Sequence, residues 1–230
     1  MIKALNTAAS GMVAQSIKQD VIANNIANAQ TPGFKRERVV ASSFQQTLQQ
    51  AQSLVQVSPG IDPYFSASMV QSSQIRMESA NDNTEGPIQA SGNELNFAID
   101  GEGSFEVMAG FSTRNTRNGS FIVDADGELA TVNGEKVQGN AGTIKIPDGK
   151  WSVSPTGAIV SNGSEVDQIK IPGAGSSTRV VQGSLEGSNV SVIREMVDMI
   201  SNIRSYEANQ KVVASVDSTL DKIINEVGKV

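Results

Sequence analysis

The chain has 230 residues, a net charge of −6, and neither cysteine nor histidine. This length is enough for one or two domains with a hydrophobic core, and because only 4% of the residues are aromatic, we expect that core to be mainly aliphatic. The missing residue types exclude disulfides, thiolate nucleophiles and histidine-based catalysis or metal binding, and the negative charge argues against a nucleic-acid partner.

The N-terminal segment, residues 1–35, is predicted to form a helix, because its apolar residues recur at alternating spacings of three and four. This stripe consists of Leu5, Ala8, Met12, Ile22, Ile26 and Ala29. Gly11 lies within the pattern, and since glycine costs about 1 kcal/mol inside a helix, it predicts a close contact with another helix. The sequence Thr31-Pro32-Gly33 ends the helix, because the residue before a proline avoids the α conformation.

The middle of the chain has two parts. Residues 36–80 are rich in glutamine and serine and are predicted to form an extended linker with short strands. Residues 81–185 contain short alternating apolar runs between glycine turns, which is typical of an antiparallel β-domain. These runs are Leu95/Phe97/Ile99, Phe105/Val107, Ile144/Ile146, Trp151/Val153 and Ile169/Ile171. The segment 124–128 begins like a calcium loop but lacks the later ligands, so we expect a hairpin turn there.

The C-terminal segment, residues 186–230, carries a seven-residue apolar repeat. Its members are Val192, Met199, Tyr206, Val213, Leu220 and Val227, with Met196, Ile203, Val216, Ile223 and Ile224 at adjoining positions. An unbroken stripe of this kind predicts a long helix that pairs with the N-terminal helix as a coiled coil. The predicted fold class is therefore α+β, with helices at both ends and a central antiparallel β-domain.

No apolar run approaches the length of a transmembrane helix, and the first residues lack the continuous apolar core of a secretory signal. We therefore expect a chain that is not embedded in a membrane. It is expected to stay in the cytoplasm unless a dedicated exporter recognises it.

Four blocks of sequence, in this order, resemble the signatures of the bacterial flagellar rod and hook proteins. They are residues 23–28 with 31–35, residues 96–105, residues 116–121 with 124–129, and residues 185–190 with the helix that follows. A chain of this length with one β-module is most similar to the rod members of the family, those of the distal rod above all. A proximal rod or hook subunit is the alternative.

The resemblance implies a structural subunit that assembles with copies of itself into a helical tube, which transmits torque from motor to hook. Further implied partners are adjoining rod and hook subunits, the ring proteins around the rod and the flagellar type III export apparatus. The implied location is the basal body in the cell envelope, in the periplasm or cell wall, after export without a cleaved signal. Phe44 and Leu48 resemble an element used at the export gate, or they anchor the linker.

The sequence contains no candidate catalytic, cofactor-binding or metal-binding residues, so we do not expect an enzyme. A secreted β-rich wall-binding or hydrolase module is the rival hypothesis, but it requires an acid pair in a cleft. The predicted assembly interface consists of Leu5, Met12, Asn24, Asn25, Ile26, Asn28, Val192, Met196, Met199, Ile203, Tyr206, Glu207, Asn209, Val213 and Leu220. Because asparagine disfavours helices, we expect the asparagines near the end of the first helix to form hydrogen bonds across this interface, with Tyr206, Glu207 and Asn209 as partners.

Overall fold

The computed structural model describes residues 2–43, 75–147 and 149–227. Helix α1 spans Ile2–Ala27 and helix α2 spans Val192–Val227. The β-strands of the described residues are β1 Glu37–Ser43, β2 Ile75–Asn81, β3 Ile88–Ala90, β4 Phe97–Asp100, β5 Phe105–Ala109, β6 Ser112–Thr116, β7 Phe121–Val123, β8 Leu129–Thr131, β9 Lys136–Val137, β10 Trp151–Val153, β11 Ala158–Ser161, β12 Ser164–Gln168, β13 Arg179–Gln182 and β14 Ser184–Glu186. Every strand pair is antiparallel, so the predicted α+β class, with helices at both ends, is confirmed.

The ends of the helices follow from local chemistry. After α1 ends, the Thr31 N–H donates to the Asn28 carbonyl at 3.0 Å, which closes a turn. Gly33 follows with a φ of +69°, a conformation that side chains other than glycine rarely adopt. At the start of α2 the Glu195 N–H donates to the Ser191 carbonyl at 3.0 Å, and the Glu195 carboxylate lies in the first turn, where the helix dipole favours negative charge.

The chain divides into two compact units. The first, here called the helical unit, contains α1 up to Ile26, strands β1 and β2, and α2. In this unit β1 and β2 pair along their whole length, from Glu37 opposite Asn81 to Ser43 opposite Ile75. The second, here called the β-unit, contains residues 27–36 and the described part of 83–190.

The β-unit contains four small sheets. The largest has five strands in the order β6-β5-β9-β8-β7, and β10-β11-β12 form a second sheet. Strand β4 pairs with β13, and β3 pairs with β14. The last two pairings join the beginning of the β-unit to its end, so that β14 and the segment leading to α2 lie beside the strands that open the unit.

One hydrophobic cluster fills the β-unit. Its buried members are Phe97, Ile99, Phe105, Val107, Phe121, Leu129, Val137, Ile144, Ile159, Ile169 and Val180. Aliphatic residues form most of this cluster, as the composition predicted, and three phenylalanines pack together within it. The Phe105 and Phe121 rings meet edge to face with centroids 5.2 Å apart, and the Phe97 centroid is 6.0 Å from that of Phe121.

The short apolar runs correspond to strands in some places and to irregular structure in others. The runs at residues 97–99, 105–107 and 151–153 lie in β4, β5 and β10, as predicted. Ile144 and Ile169 are buried too, but they lie outside the strands, next to or within isolated β-bridges. The alternating pattern marked burial correctly, and the pairing available to each run decided whether it became a strand.

The predicted hairpin turn at residues 124–128 connects β7 to β8, which pair antiparallel. Asp124 Oδ1 accepts hydrogen bonds from the backbone N–H groups of Asp126, at 3.0 Å, and Glu128, at 2.9 Å. The ammonium group of Lys136 contacts the Asp124 carboxylate and lies 2.8 Å from Glu128 Oε2. The hydrogen bond from Lys136 and those from the turn lower the pKa of Asp124 below its ordinary value of 3.8.

Candidate functional site

A buried carboxylate lies in the β-unit at the end of β14. The side chain of Glu186 is 1% exposed and has a cation on each oxygen. Lys35 Nζ lies 2.5 Å from Oε1, and Arg117 Nη1 lies 3.0 Å from Oε2. These three residues are here called the Glu186 cluster. A charge removed from water in this way is tolerated only where opposite charges and hydrogen bonds replace the lost hydration.

The remaining hydrogen-bonding groups of the Glu186 cluster also have partners. The backbone N–H of Gly86 donates to Glu186 Oε1 at 3.0 Å. Lys35 Nζ donates in addition to the Thr84 carbonyl at 2.7 Å, and Arg117 Nη2 donates to the Gly101 carbonyl at 2.7 Å. Each cation therefore joins the carboxylate to a different backbone segment, so the cluster connects parts of the β-unit that are far apart in sequence.

The segment after α1 is held against the segment before α2 by backbone contacts as well. The Gly33 N–H donates to the Glu186 carbonyl at 2.8 Å, and the Arg36 N–H donates to Asn189 Oδ1 at 2.6 Å. A Cβ atom on Gly33 would lie 2.3 Å from the carbonyl carbon of Arg117, so glycine is required for this close approach. The β-unit thus holds the connections to the two helices side by side.

The helical unit is held together by polar contacts between α1 and α2. Asn25 is buried, and its Nδ2 donates to Glu195 Oε2 at 3.3 Å. The Asn25 side chain also pairs with both backbone groups of Glu37, since Nδ2 donates to the carbonyl and Oδ1 accepts from the N–H, each at 2.9 Å. One amide therefore joins α1 both to α2 and to the start of β1.

Two further contacts show how the helices run. Asn202 Nδ2 donates to the Gln15 carbonyl at 2.8 Å and to Gln19 Oε1 at 2.9 Å. Nearer the start of α1, a Cβ atom on Gly11 would lie 3.0 Å from Asn209 Nδ2. Residue numbers rise along α1 while those of its contacts on α2 fall, so the helices are antiparallel. The close helix contact predicted at Gly11 is confirmed.

The outer sides of these helices carry apolar residues. On α2 they are Ile193, Met196, Val197, Ile200 and Ile203, here called the outer apolar face, and Ile193 is 78% exposed. Their spacing of three and four residues places them on one side of the helix. On α1, Val13 and Ile17 are likewise exposed. The helical unit therefore has buried polar contacts between its helices and exposed apolar side chains on their outer sides.

The structure places the residues of the predicted assembly interface at three depths. Asn25 is buried, and it meets Glu195 and Glu37 within the chain. Half-buried members are Leu5, Met12, Ile26, Asn28, Val192, Met199, Asn209, Val213 and Leu220. Exposed members are Asn24, Met196, Ile203, Tyr206 and Glu207. The predicted export element, Phe44 and Leu48, lies outside the described residues.

Sequence reasoning singled out Asn25 but not Glu186, Glu195 or Asn202, which are also buried and make polar contacts. Glu186 lies in a recognised signature block, but nothing near it in sequence identifies Lys35 and Arg117 as its partners. A sequence pattern could have identified Glu195 and Asn202, since with Asn209 they form a second seven-residue repeat beside the apolar one. That repeat is the one that faces α1.

Two properties of the described residues concern other classes of site. No group of three or more aspartate or glutamate residues among them could hold a metal ion. None of the helices they form has an apolar stretch long enough to cross a membrane.

Three family models match the chain. The family described as "Flagella basal body rod protein" matches residues 5–35, "Flagellar hook protein FlgE/F/G D1 domain" matches residues 98–184, and "Flagellar basal body rod FlgEFG protein C-terminal" matches residues 181–226. Lys35, Arg117 and Glu186 each lie in a different one of these regions. The Glu186 cluster is therefore the point at which the three parts of the family sequence meet in this chain.

Relatives of known role align along nearly the whole chain. "Flagellar basal-body rod protein FlgG" of Agrobacterium fabrum is 32% identical, and the alignment covers 94% of this chain and 96% of the relative. FlgG of Bacillus subtilis is 29% identical, with 98% of this chain and 99% of the relative covered. "Flagellar basal-body rod protein FlgF" of Escherichia coli is 29% identical, with 91% of this chain and 92% of the relative covered. The chain belongs to the family of flagellar basal-body rod and hook proteins.

Proposed function

We propose that the chain is a structural subunit of the bacterial flagellar rod, in its distal part. Copies of the chain assemble into a helical tube that transmits torque from the motor to the hook. The family membership supports this role, and relatives named FlgG match the chain from end to end. The subunit works by binding its neighbours rather than by catalysing a reaction.

The outer apolar face is the single observation that carries the proposal. Its five side chains lie on a helix whose other side makes polar contacts to α1, so the exposed side has the composition of a buried one. Burying each of these side chains against a neighbouring subunit contributes roughly 1.5–3 kcal/mol to the free energy of association. Neighbouring copies of the chain supply this cover, and a head-to-tail interface that does not close into a ring produces an open helical filament.

In the assembled rod, the helical units form the inner layer and the β-units the outer one. Helices α1 and α2 pair as a coiled coil, and the predicted interface residues contact neighbouring subunits. The apolar repeat at Val213 and Leu220 supports this arrangement, since both residues are half-buried on α2. The proposed domains are residues 1–35, 36–80, 81–185 and 186–230, as the sequence predicts.

The proposed location is the basal body within the cell envelope, reached without a cleaved signal peptide. The partners there are adjoining rod and hook subunits and the ring proteins around the rod, after passage through the flagellar type III export apparatus. Residues 44–48 act as the export element. Deleting them is expected to leave the protein inside the cell in an immunoblot of fractionated cells, and unchanged export of the deletion would contradict this role.

Labelling of isolated basal bodies tests the position of the subunit. A functional copy with a short epitope tag, decorated with gold-labelled antibody, is expected to place the gold on the distal rod in electron micrographs. Gold on the hook or on the end of the rod nearest the motor would contradict the distal assignment.

A second position within the rod is the other candidate function. The FlgF relative is as similar to this chain as the Bacillus FlgG is, at 29% identity each. A subunit of the proximal rod would use the same helical unit and the same outer apolar face. The labelling experiment distinguishes the two, because only the position of the gold differs between them.

A further inference from the structure

Three polar residues on α2 face α1 at intervals of seven. They are Glu195, Asn202 and Asn209, here called the polar repeat. Glu195 and Asn202 are buried, with Asn202 only 3% exposed, and Asn209 is half-buried. Seven residues are close to two turns of an α-helix, so the three side chains lie in one line along α2.

Each member of the polar repeat has a different counterpart on α1. Glu195 accepts a hydrogen bond from the Asn25 amide at 3.3 Å. Asn202 donates to Gln15 and Gln19, at 2.8 and 2.9 Å. The three contacts are not interchangeable, because a carboxylate can only accept hydrogen bonds whereas an asparagine amide both donates and accepts.

The third contact depends on the absence of a side chain. Asn209 lies beside Gly11, where even a single Cβ atom would be 3.0 Å from its Nδ2. A larger residue at this position on α1 would require the Asn209 side chain to move. Gly11 and Asn209 therefore fit each other in one alignment of the helices.

The polar repeat is not the most stabilising choice for a helix interface. Asn202 Oδ1 is buried without a hydrogen-bond partner among the described residues. Apolar side chains of similar size would avoid that desolvation penalty and would bury more apolar area. A buried polar residue at one position of a seven-residue repeat is known to determine helix alignment at some expense in stability.

The apolar repeat on α2 cannot determine the alignment by itself. Because it recurs every seven residues, α2 could slide by one repeat past α1 and still place apolar residues at the same positions. In the shifted pair, Gly11 would face Val216, and Glu195 would lose the hydrogen bond that it accepts from the Asn25 amide. The loss of this buried hydrogen bond makes the shifted alignment unfavourable.

We propose that the polar repeat selects the alignment of α1 and α2, and that its contribution is to specificity rather than to stability. The outer apolar face of each subunit then lies at one fixed position along α1. This requirement is the same whichever segment of the rod contains the chain.

Cysteine cross-linking tests this proposal directly, since the chain has no cysteine of its own. Two reporter chains are needed. The first carries Gly11→Cys with Asn209→Cys and reports the observed alignment. The second carries Gly11→Cys with Val216→Cys and Asn209→Ala, and it reports the alignment shifted by one repeat. The rate of disulfide formation under mild oxidation is measured for each full-length chain.

The test variant adds Glu195→Leu and Asn202→Leu to both reporters. Asn25 keeps its two hydrogen bonds to the Glu37 backbone in this variant. The matched control adds Arg194→Leu and Ser201→Leu, which change exposed residues one position earlier on the same helix. Circular dichroism of each chain measures the helix content.

With Glu195 and Asn202 in place, we expect the first reporter to form its disulfide at least about tenfold faster than the second. In the test variant this ratio is expected to fall towards one while the helix content is retained, and the control is expected to keep the parent ratio. An unchanged ratio in the test variant, an equal fall in the control, or a ratio near one in the parent would overturn the proposal. A loss of helix content in the test variant would also overturn it, because the repeat would then serve stability.

Discussion

At the scale of single residues, Glu186 is a buried carboxylate of the β-unit with a partner on each oxygen. Its carboxylate is 1% exposed and is neutralised by Lys35 and Arg117, which are themselves mostly buried. Replacing a buried ion pair as a whole is often tolerated, but removing one partner leaves a charge that neither water nor protein compensates. The cluster is therefore sensitive to single substitutions at its centre.

We expect Glu186→Gln to destabilise the β-unit by about 3–5 kcal/mol, because two buried cations lose their counter-charge. Trp151 is the only tryptophan in the chain, and its ring lies 6.2 Å from that of Phe97 in the core, so its fluorescence reports unfolding of this unit. Urea denaturation followed at Trp151 measures the change. Glu165→Gln, at an exposed position of β12, is the control, and equal stability of the two variants would show that the cluster contributes nothing.

A second prediction at this scale concerns pH. Asp124→Asn keeps an oxygen that can accept the hydrogen bonds of the turn but removes the charge that faces Lys136. Because the folded protein lowers the pKa of Asp124, the charged carboxylate stabilises the fold above its ordinary pKa of 3.8, and this contribution disappears as the pH falls through the lowered value.

The melting temperature of Asp124→Asn is therefore expected to lie below that of the parent at pH 7 and to converge with it under acid conditions. Lys136 keeps its positive charge at neutral pH, since its contacts with Asp124 and Glu128 raise its pKa above the ordinary 10.5. Thermal denaturation between pH 2 and pH 8 measures the effect. A constant difference across that range would mean that the charge of Asp124 is not the cause.

At the scale of elements, α2 is the part of the chain with two functional sides. One side contacts α1 through polar groups, and the opposite side is the outer apolar face. A substitution on the outer side can therefore weaken assembly without disturbing the contacts inside the subunit.

We expect Ile200→Asp to abolish assembly and motility while leaving the subunit folded. The charge would enter the surface that we propose neighbouring subunits cover, where burial of each apolar side chain contributes roughly 1.5–3 kcal/mol to association and a buried unpaired charge costs more. Complementation of a strain that lacks the gene, scored on soft agar and by microscopy of basal bodies, provides the measurement. Ser201→Asp, at the neighbouring exposed position, is the control, and normal swimming of the Ile200 variant would exclude the outer apolar face as an interface.

At the scale of the whole molecule, the two units differ in how much apolar surface they bury. The hydrophobic cluster lies in the β-unit, whereas in the described residues of the helical unit only Ala8 and Ile22 are buried apolar side chains. The stability of an isolated helix depends mostly on packing of its apolar side. The β-unit is therefore expected to be stable by itself, and the helical unit to need neighbouring subunits.

Limited proteolysis of the dilute monomer checks this difference. We expect a protease of broad specificity to remove the helical segments first and to leave material that retains the β-unit, residues 27–36 and 83–190, identified by mass spectrometry. The same treatment of assembled protein is expected to protect the helices. If the helices and the β-unit are equally resistant in the monomer, the helical unit is stable within one subunit and does not need neighbouring copies.

Local patterns in the sequence were sufficient for the fold class and for several details. Alternation of apolar residues predicted β4, β5 and β10, and the turn at residues 124–128 was correctly expected to connect a hairpin. The Thr31-Pro32-Gly33 segment predicted a helix end in this region, although α1 already ends at Ala27. These features depend on the conformational preferences of residues near one another in the chain. The ordered signature blocks likewise indicated the family.

The partners of the buried polar residues became known only from the folded chain. Glu186 is 151 residues from Lys35 and 69 from Arg117, and no local pattern connects residues so far apart. On α2, the apolar and the polar repeats have the same period of seven, so periodicity could not decide which one faces α1. Hydrophobicity favours the apolar repeat, yet Glu195 and Asn202 are the buried members. Their hydrogen-bond partners on α1, Asn25, Gln15 and Gln19, are distant in sequence and reach them only when the two helices pack together.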